Sequence, residues 1–314
     1  VWENLNENAM PNLEGIILIN DYSVLISRSE KLTFAREHLN EMFGKKYPRN
    51  FRKEHIKYHE DKPEELAILN YTSGTTSSSK GVMLPHRAIW SNLRFALDVL
   101  PLKPGNKLVS MLPMAHMYGL AFEFLYTFCY GCHIYFLTRM PSPKIILQAF
   151  AEVKPELVIA VPLIIEKIIK KNVLPKLQTP TMKILLKVPI ISDKIKATVR
   201  EQLMNAFGGN FYEIVVGGAA FNQEIETFMR SIEFPYTVGY GMTECGPLIC
   251  YEDWKEFRAG SCGKPVHRMD VKILSPDPAN IVGEIVCKGD NVMLGYFKNP
   301  EATAEAIDKD GWLH

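Results

Sequence analysis

Short apolar runs alternate with amphipathic stretches along most of the chain. The runs are four to six residues long, which is typical of strands that are buried on both faces of a sheet. Because the strands alternate with helical patterns, the sequence favours an α/β fold with layered, mainly parallel sheets. We predict strands at Gly15–Asn20, Leu66–Tyr71, Lys107–Leu112, His133–Leu137, Leu157–Val161 and Glu213–Val216.

Apolar residues at helical spacing occupy the stretches between these runs. In Asp193–Phe207 they recur at every fourth position, and Gly208 and Gly209 follow as a stop signal. Asn222 is a residue type that caps helices, so we predict a helix from there through Ile232. Further helices are predicted at His86–Leu100, Lys144–Val153 and Leu163–Lys171.

The pattern changes near Cys262. The stretches MDVKIL and IVGEIVCKG alternate between apolar and polar residues, and the turn cluster SPDPAN separates them. This pattern predicts a small antiparallel, barrel-like β subdomain. We therefore expect an α/β core over residues 1–260 and the start of the β subdomain over 261–314. The basic segment Phe43–Pro63 is predicted to be a long surface connection.

The longest apolar stretch, Leu120–Leu137, approaches the length of a membrane-spanning helix. It contains Glu123, His133 and an internal glycine, so a buried helix that leads into a buried strand fits it better. Peripheral contact with a membrane stays open. Since the first residues lack a basic and then apolar leader pattern, we expect a cytoplasmic, reducing compartment and free thiols.

Composition excludes several classes of protein. The chain has 36 Lys and Arg against 35 Asp and Glu, and 47% of its residues are apolar. These values are typical of globular proteins and exclude disordered, collagen-like and coiled-coil chains. The near-neutral balance leaves no basic footprint for general binding of nucleic acid. Six cysteines in 314 residues are too few for a disulfide scaffold.

A hydroxyl-rich loop, YTSGTTSSSKG, covers Tyr71–Gly81. It follows an apolar strand and precedes a helix, and seven of the eight residues from Thr72 to Ser79 carry hydroxyl groups. Hydroxyl and backbone N–H donors can surround phosphate oxygens, and Lys80 adds a positive charge. The spacing differs from the Walker A pattern, which disfavours a P-loop kinase. A flexible Ser/Thr linker is the alternative.

A second loop, PYTVGYGMTECGP, covers Pro235–Pro247 and follows another apolar strand. Open α/β sheets bind ligands at such strand ends. Tyr240 can stack on a flat base, Thr243 can donate to a phosphate and Glu244 can hold Mg²⁺. A tight turn with a surface glutamate is the alternative.

Two further stretches follow strands. In VVGGAAF, Val215–Phe221, small residues leave room for a planar ligand, although close packing of a strand on a helix would need them too. In LPMAHMYGL, Leu112–Leu120, His116 stands among apolar residues, where a packed core histidine is commoner than a catalytic one.

The stretch CYGCH, Cys129–His133, matches a haem-attachment pattern. Covalent haem needs an exposed segment, whereas this one lies in an apolar, aromatic run. As half of a zinc site it lacks a second pair, because Cys245 and Cys250 have unusual spacing. Buried structural thiols fit better.

Taken together, six stretches in this order resemble the adenylate-forming superfamily of acyl-CoA synthetases, luciferases and peptide-synthetase adenylation domains. They are YTSGTTSSSKG, LPMAHMYG, VVGGAAF, VGYGMTECGP, VGEIVCKG and DGWLH, and they span residue 71 to the last residue. Within that superfamily the chain most resembles bacterial long-chain fatty-acid–CoA ligases. The resemblance implies two half-reactions: a carboxylate and ATP, with Mg²⁺, give acyl-AMP and pyrophosphate, and the thiol of CoA then takes the acyl group.

The resemblance also implies roles for residues of this sequence. The β- and γ-phosphates would contact Thr72, Ser73, Gly74, Thr75, Thr76 and Lys80. The adenine would lie among Gly218, Ala219, Ala220 and Tyr240. Thr243 would contact the α-phosphate, Glu244 and Thr75 would hold Mg²⁺, and Gly241 and Met242 would lie beside the acyl path. His116 would stand near the acyl carboxylate, which makes Thr75, Lys80, His116 and Glu244 the expected catalytic residues.

The sequence departs from the family in two ways. In the phosphate loop, Ser77 stands where the family has glycine and Ser79 where it frequently has proline. The family also continues beyond DGWLH with a ribose-binding aspartate and a C-terminal domain that brings a lysine. The resemblance therefore implies a central part of a synthetase, in which residues 1–260 are a nucleotide- and acyl-binding core that is incomplete at its N-terminus, and we expect little activity from it alone. A non-catalytic nucleotide- or acyl-binding module is the alternative function.

The sequence also bears on the acid. No charged residue in the quoted stretches is suited to pairing with a substrate amino group, which favours an apolar acid. The choice among long-chain, medium-chain and aromatic acids stays open, and so does the oligomeric state.

Overall fold

A computed structural model describes residues 6–72 and 79–314, and the chain divides between Glu60 and Asp61 into two units. In the first unit, an antiparallel pair of strands precedes two short helices. Every residue from Phe43 to Pro63 is exposed, which confirms the predicted surface position of that segment. The elements of this unit are β1 (Gly15–Ile17), β2 (Val24–Ser27), α1 (Glu30–Glu37) and α2 (Leu39–Lys46), with 3₁₀ turns at Glu7–Ala9 and Lys53–His55.

The second unit contains the remaining strands and helices of the described residues. Its strands are β3 (Leu66–Thr72), β4 (Lys80–Pro85), β5 (Lys107–Ser110), β6 (His133–Phe136), β7 (Val158–Ala160), β8 (Ile214–Val216), β9 (Tyr236–Val238), β10 (Tyr240–Gly241), β11 (Leu248–Tyr251), β12 (Lys264–Pro265), β13 (Met269–Leu274), β14 (Glu284–Gly289) and β15 (Gly295–Tyr296). Its α-helices are α3 (His86–Val99), α4 (Tyr126–Cys129), α5 (Pro143–Val153), α6 (Pro162–Asn172), α7 (Leu174–Leu177), α8 (Pro180–Leu185), α9 (Pro189–Ala206), α10 (Gln223–Ser231) and α11 (Pro300–Ala306). A π-helix at Gly119–Leu125 and a 3₁₀ turn at Thr243–Cys245 complete the set.

The strands of two sheets pair in parallel, as predicted for the α/β core. One sheet has the order β7-β8-β9, and the other joins β5 to β6. All residues of β7 and β8 are buried, which explains why they are continuous apolar runs. Because β8 and β9 are parallel, their carboxyl ends lead to Gly217 and Gly239 at the same edge of the sheet. The backbone N–H of Gly217 donates to Ala160 (3.0 Å) and that of Gly239 to Val216 (2.9 Å).

Antiparallel pairing occurs elsewhere and corrects part of the prediction. The strands predicted at Gly15–Asn20 and Leu66–Tyr71, expected among the parallel strands, form at Gly15–Ile17 and Leu66–Thr72 and pair antiparallel with β2 and β4. Strand β4 lies in the middle of the sheet β15-β4-β3, so it receives β15 from a distant part of the chain. The predicted strand at His133–Leu137 forms as β6, but it is largely exposed rather than buried.

The predicted helices form with small shifts of their boundaries. Helix α9 begins at Pro189 rather than Asp193, because proline suits the first turn of a helix. The side chain of Asn222 accepts a hydrogen bond from the N–H of Ile225 (3.2 Å) and caps α10 as predicted. Gly208 and Gly209 follow α9 with positive φ angles of 95° and 72°, which ends the helix as expected.

Strands β13 and β14 form the antiparallel hairpin that the alternating pattern near the end of the chain predicts. The preceding β12 pairs with β11, so the segment after residue 260 also adds a strand to the sheet of β10 and β11. The domain boundary near residue 260 stays a prediction.

Two clusters of buried apolar side chains fill the second unit. One surrounds α3, β4 and the π-helix, with Phe95 and Tyr126 among its large members. The other packs around β7, β8 and β9 and contains the ring of Phe207 in contact with the rings of Phe150 and Phe234. Among the described residues, no helix is both long and apolar enough to cross a membrane.

Candidate functional site

A cleft of about 470 Å³ lies at the carboxyl ends of β8 and β9. It brings together residues of two of the predicted loops: Gly218, Ala219, Ala220, Tyr240 and Gly241 all line it. Gly218 has a φ of +88°, a conformation that residues with a Cβ rarely adopt. The side chain of Tyr240 is half-buried at this cleft.

A second, narrow cavity of about 60 Å³ lies against the same wall. It shares Gly218, Gly239, Tyr240 and Gly241 with the cleft. Among the described residues that line it, none is charged. Its other walls are Phe95, Leu100, Tyr118, Phe122, Ile159, Val215, Gly217, Pro247, Leu248 and Tyr251. The segment Gly239–Gly241 therefore borders both the open cleft and the narrow apolar cavity.

Tyr118 packs closely against Gly217, the first of the two glycines that follow β8. Its hydroxyl donates to the carbonyl of Val215 (3.0 Å). A Cβ on Gly217 would lie 3.1 Å from the Tyr118 ring, which is tighter than an ordinary contact, so the ring would have to shift to admit a larger residue. Tyr118 thus ties the loop after β5 to the end of β8, across the apolar cavity.

His116 lies in the loop after β5 and is exposed, so the alternative of a packed core histidine is wrong. The amide of Asn70 donates to the carbonyl of Ala115 (2.8 Å), and the N–H of His116 donates to Pro113 (3.0 Å). These contacts hold the loop against β3, with the imidazole accessible to solvent.

A buried carboxylate supports the start of the same loop. Glu123 belongs to the π-helix and is inaccessible to solvent. Its Oε2 accepts hydrogen bonds from the Ser110 hydroxyl (3.1 Å) and from the N–H groups of Met111 (3.0 Å) and Leu112 (2.9 Å). Burial raises the pKa of this carboxyl to about 7, although the three donors oppose the shift. Its Oε1 is buried and has no hydrogen-bond partner within the described part of the chain.

A second buried carboxylate supports the far wall of the cavity. Glu213 precedes β8, and it accepts hydrogen bonds from the Tyr251 hydroxyl and from the N–H of Trp254 (3.2 Å). Burial, with a smaller contribution from Asp253, raises its pKa to about 7.

Glu244 and Lys80 both contact the side chain of Tyr296. The hydroxyl of Tyr296 donates to Oε1 of Glu244 (2.8 Å), and Lys80 Nζ lies 4.9 Å from the centre of the Tyr296 ring. Glu244 belongs to the 3₁₀ turn that follows Met242, and Thr243 begins that turn. The N–H of Met242 donates to Pro247 (2.9 Å), which closes the loop below the cleft.

The predicted phosphate loop is only partly described. Ser73, Gly74, Thr75 and Thr76 lie outside the described residues, and so does Ser77. Thr72 and Lys80 pair across β3 and β4 on either side of the loop. The roles of the loop residues, of Thr75 as a metal ligand and of the other site residues stay predictions.

All six cysteines are free, as expected. Cys245 and Cys250 are buried, and the Sγ atoms of Cys245 and Cys287 lie 3.6 Å apart. Cys129 is exposed and Cys132 is half-buried, which corrects the prediction of buried structural thiols at CYGCH. Across residues 6–72 and 79–314, no group of three or more His, Cys, Asp and Glu side chains is arranged to hold a metal ion.

The sequence patterns do not predict the contacts that four residues make at the site: Tyr118, Glu123, Glu213 and Tyr296. Tyr118 and Glu123 lie inside stretches that the sequence singles out, but their contacts depend on where β8 and β5 end. Tyr296 follows the apolar residues Val292–Leu294 and Gly295, and the pairing of β15 with β4 brings it to Lys80. The local sequence around Tyr296 indicates no more than a glycine–tyrosine pair after an apolar run.

Comparison with known proteins identifies related chains. Residues 16–297 match the family described as AMP-binding enzyme. Long-chain-fatty-acid–CoA ligase 5 of Rattus norvegicus is 30% identical, over 99% of this chain and 48% of that protein. 4-Coumarate–CoA ligase 1 of Solanum tuberosum is 30% identical, over 80% of this chain and 44% of that protein. The chain therefore spans about half the length of these relatives.

A solved structure shows the same fold. MatB of Rhodopseudomonas palustris, with ATP bound, superposes with a TM-score of 0.64 at 23% identity, over 82% of this chain and 46% of that one. The match confirms the predicted mixed α/β architecture.

Proposed function

The chain belongs to the AMP-binding enzyme family, and on that premise we propose that it binds the nucleotide and the acyl group for an acid–CoA ligase. In the proposed reaction, an apolar carboxylic acid and ATP give acyl-AMP and pyrophosphate, and CoA then takes the acyl group. The observation that carries the proposal is the shared wall at Gly239–Gly241. A cleft suited to a nucleotide and an apolar cavity meet there, which is where an acyl-adenylate joins its two halves.

The residues of this chain act mainly by positioning and by charge. Displacement at phosphorus needs alignment and neutralisation of charge more than covalent help from the protein. Tyr240 and Gly218–Ala220 would hold the adenine, and Thr243 the α-phosphate. Lys80 would neutralise charge on the outer phosphates, while His116 would lie beside the carboxylate. Tyr240 and Gly218–Ala220 line the cleft, and Lys80 lies at the Tyr296 ring, whose hydroxyl contacts Glu244, which supports these roles.

The carboxylate of Glu244 fits a magnesium site. Among the described residues, its single hydrogen-bond donor is the Tyr296 hydroxyl, on Oε1, so Oε2 is available to a cation. Mg²⁺ is usually bound through one or two carboxylates together with substrate phosphates. Glu244, with Thr75 from the phosphate loop, would hold the ion, which would neutralise phosphate charge.

The walls of the cavity support an apolar acid, and a long-chain fatty acid is our first candidate. One relative is named a long-chain-fatty-acid–CoA ligase and another a 4-coumarate–CoA ligase. A specific observation favours the second candidate, a shorter or aromatic acid: the cavity is only about 60 Å³, and five aromatic side chains line it, namely Phe95, Tyr118, Phe122, Tyr240 and Tyr251.

A series of non-hydrolysable acyl-AMP mimics of increasing chain length tests the proposal. We expect affinity, measured by calorimetry, to rise by up to about 0.8 kcal/mol for each methylene that is buried and then to level off. A plateau after a few carbons would support the shorter acid, and a late plateau the long chain. Affinity that is the same with AMP alone as with every mimic would contradict an acyl site.

Replacement of Lys80 tests the nucleotide half of the proposal. We expect Lys80→Met to weaken ATP binding about tenfold, since hydrogen bonds to charged groups are strong. Lys194, an exposed residue of α9, supplies the matched control, and Lys194→Met should bind ATP like the unchanged chain. Calorimetric titration with ATP measures both variants. Equal affinities for the two variants would remove Lys80 from the site.

A further inference from the structure

Tyr296 contacts both charged residues of the proposed phosphate site. Its hydroxyl donates to Glu244 Oε1 (2.8 Å), while its ring faces Lys80 Nζ at 4.9 Å from the ring centre. The two contacts use different parts of one side chain, so they can be removed separately by substitution.

The position of Tyr296 is firmly determined by its surroundings. Its side chain is 8% exposed, and β15 pairs with β4 so that Tyr296 lies opposite Val82. Its N–H donates to the Thr303 hydroxyl (2.8 Å), and the N–H of Phe297 donates to Gly81 (2.7 Å). The strand that carries Lys80 therefore also holds Tyr296.

The hydroxyl group of Tyr296 donates to only one of the two oxygens of the Glu244 carboxylate. A protonated phenol that donates to one carboxylate oxygen restricts the rotation of the carboxyl group. The other oxygen then keeps a defined direction.

We propose that Tyr296 is a positioning residue: its hydroxyl orients the Glu244 carboxylate for a magnesium ion, and its ring holds Lys80 beside the phosphates. The inference rests on the proposed function, because the ion and the phosphates belong to it. Outer partners of a metal ligand commonly affect metal affinity about tenfold or more.

Two substitutions separate the two contacts. Tyr296→Phe removes the hydroxyl and keeps the ring, whereas Tyr296→Leu removes both. Tyr212 provides a matched control, because its hydroxyl also donates to a carboxylate, Asp253 (2.6 Å), in another part of the unit. Thermal unfolding shows whether each variant is folded. Glu244→Gln serves as the reference for loss of the metal ligand.

The measurement is calorimetric binding of ATP to the full 314-residue chain, once with a chelator and once across a range of Mg²⁺ concentrations. We expect Tyr296→Phe to raise the Mg²⁺ concentration needed for half-maximal enhancement about tenfold, with unchanged affinity for ATP in chelator. We expect Tyr296→Leu to raise the Mg²⁺ requirement in the same way. In addition, its affinity for ATP in chelator should fall about threefold, since the contact with Lys80 is gone. Tyr212→Phe should change neither quantity.

The outcomes separate this inference from the proposed function. If Glu244→Gln raises the Mg²⁺ requirement but Tyr296→Phe does not, the positioning role is wrong and the proposed function stands. If Tyr296→Phe weakens ATP binding equally with and without Mg²⁺, its role is structural only and the inference fails. If the unchanged chain does not bind ATP at all, the proposed function fails, and this inference fails with it.

Discussion

The free energy of unfolding is expected to fall as the pH rises from about 5 to about 7.5, because two buried carboxyl groups must ionise in the folded chain. Burial raises the pKa of Glu123 and of Glu213 from 4.5 to about 7. Between these pH values, the folded state keeps protons that the unfolded state releases. Stability therefore decreases across this window, by up to about 3 kcal/mol for each group.

The sign follows from the proton balance. Below pH 4.5 both states hold the proton, so neither group contributes a slope there. Above pH 7 both states are ionised, and the full penalty of the buried charge applies. The three donors around Glu123 and the Tyr251 hydroxyl at Glu213 reduce this penalty, but burial outweighs them.

Urea unfolding at several pH values measures the effect in the unchanged chain and in Glu123→Gln and Glu213→Gln. Each variant should lose about half of the slope between pH 5 and 7, because glutamine does not titrate. Glu305 is exposed on α11, so Glu305→Gln is the control and should keep the full slope. Stability that is constant or rises over this window in the unchanged chain would show that neither group keeps its proton.

Much of the second unit could be predicted from the sequence, because its buried strands leave a strong local signal. Strands β7 and β8 are short apolar runs with every residue buried, and Asn222 and Gly208 are clear helix boundaries. The small residues Gly218–Ala220 and the segment Gly239–Gly241 are predictable as site residues because they follow such strands. Parallel order then brings them to one edge.

The contacts that organise the site could not be predicted in this way, because they join residues that are distant in sequence. The β15 strand has two residues and exists through its pairing with β4. Glu123 was recognised as a polar residue in an apolar run, but its function depends on donors at the end of β5. Likewise, the exposed position of β6 has no signature in its apolar sequence.

The segment Gly239–Gly241, which lines both the cleft and the cavity, contains two glycines that differ in the space around them. A Cβ on Gly241 would lie 2.2 Å from the carbonyl oxygen of Pro247 and 2.9 Å from its carbonyl carbon. A Cβ on Gly239 would meet its nearest atom, the Cys250 carbonyl oxygen, at 3.5 Å, an ordinary contact. Neither glycine has a positive φ, so the expected effects of alanine at the two positions differ only through steric contacts.

Gly241→Ala should therefore destabilise the fold by about 3 kcal/mol, because the obstructing atoms belong to the backbone of the paired segment and cannot rotate away. Gly239→Ala, two residues earlier, should cost less than about 1 kcal/mol by the same measure. Unfolding in urea compares the two variants. Because β10 must move away from β11 to admit the methyl group, Gly241→Ala should also shift the wall that the cleft and the cavity share, and bind acyl-AMP mimics at least tenfold more weakly. Equal stability of the two alanine variants would mean that β10 and β11 can separate freely, and the shared wall would then be too loose to align the two halves of an acyl-adenylate.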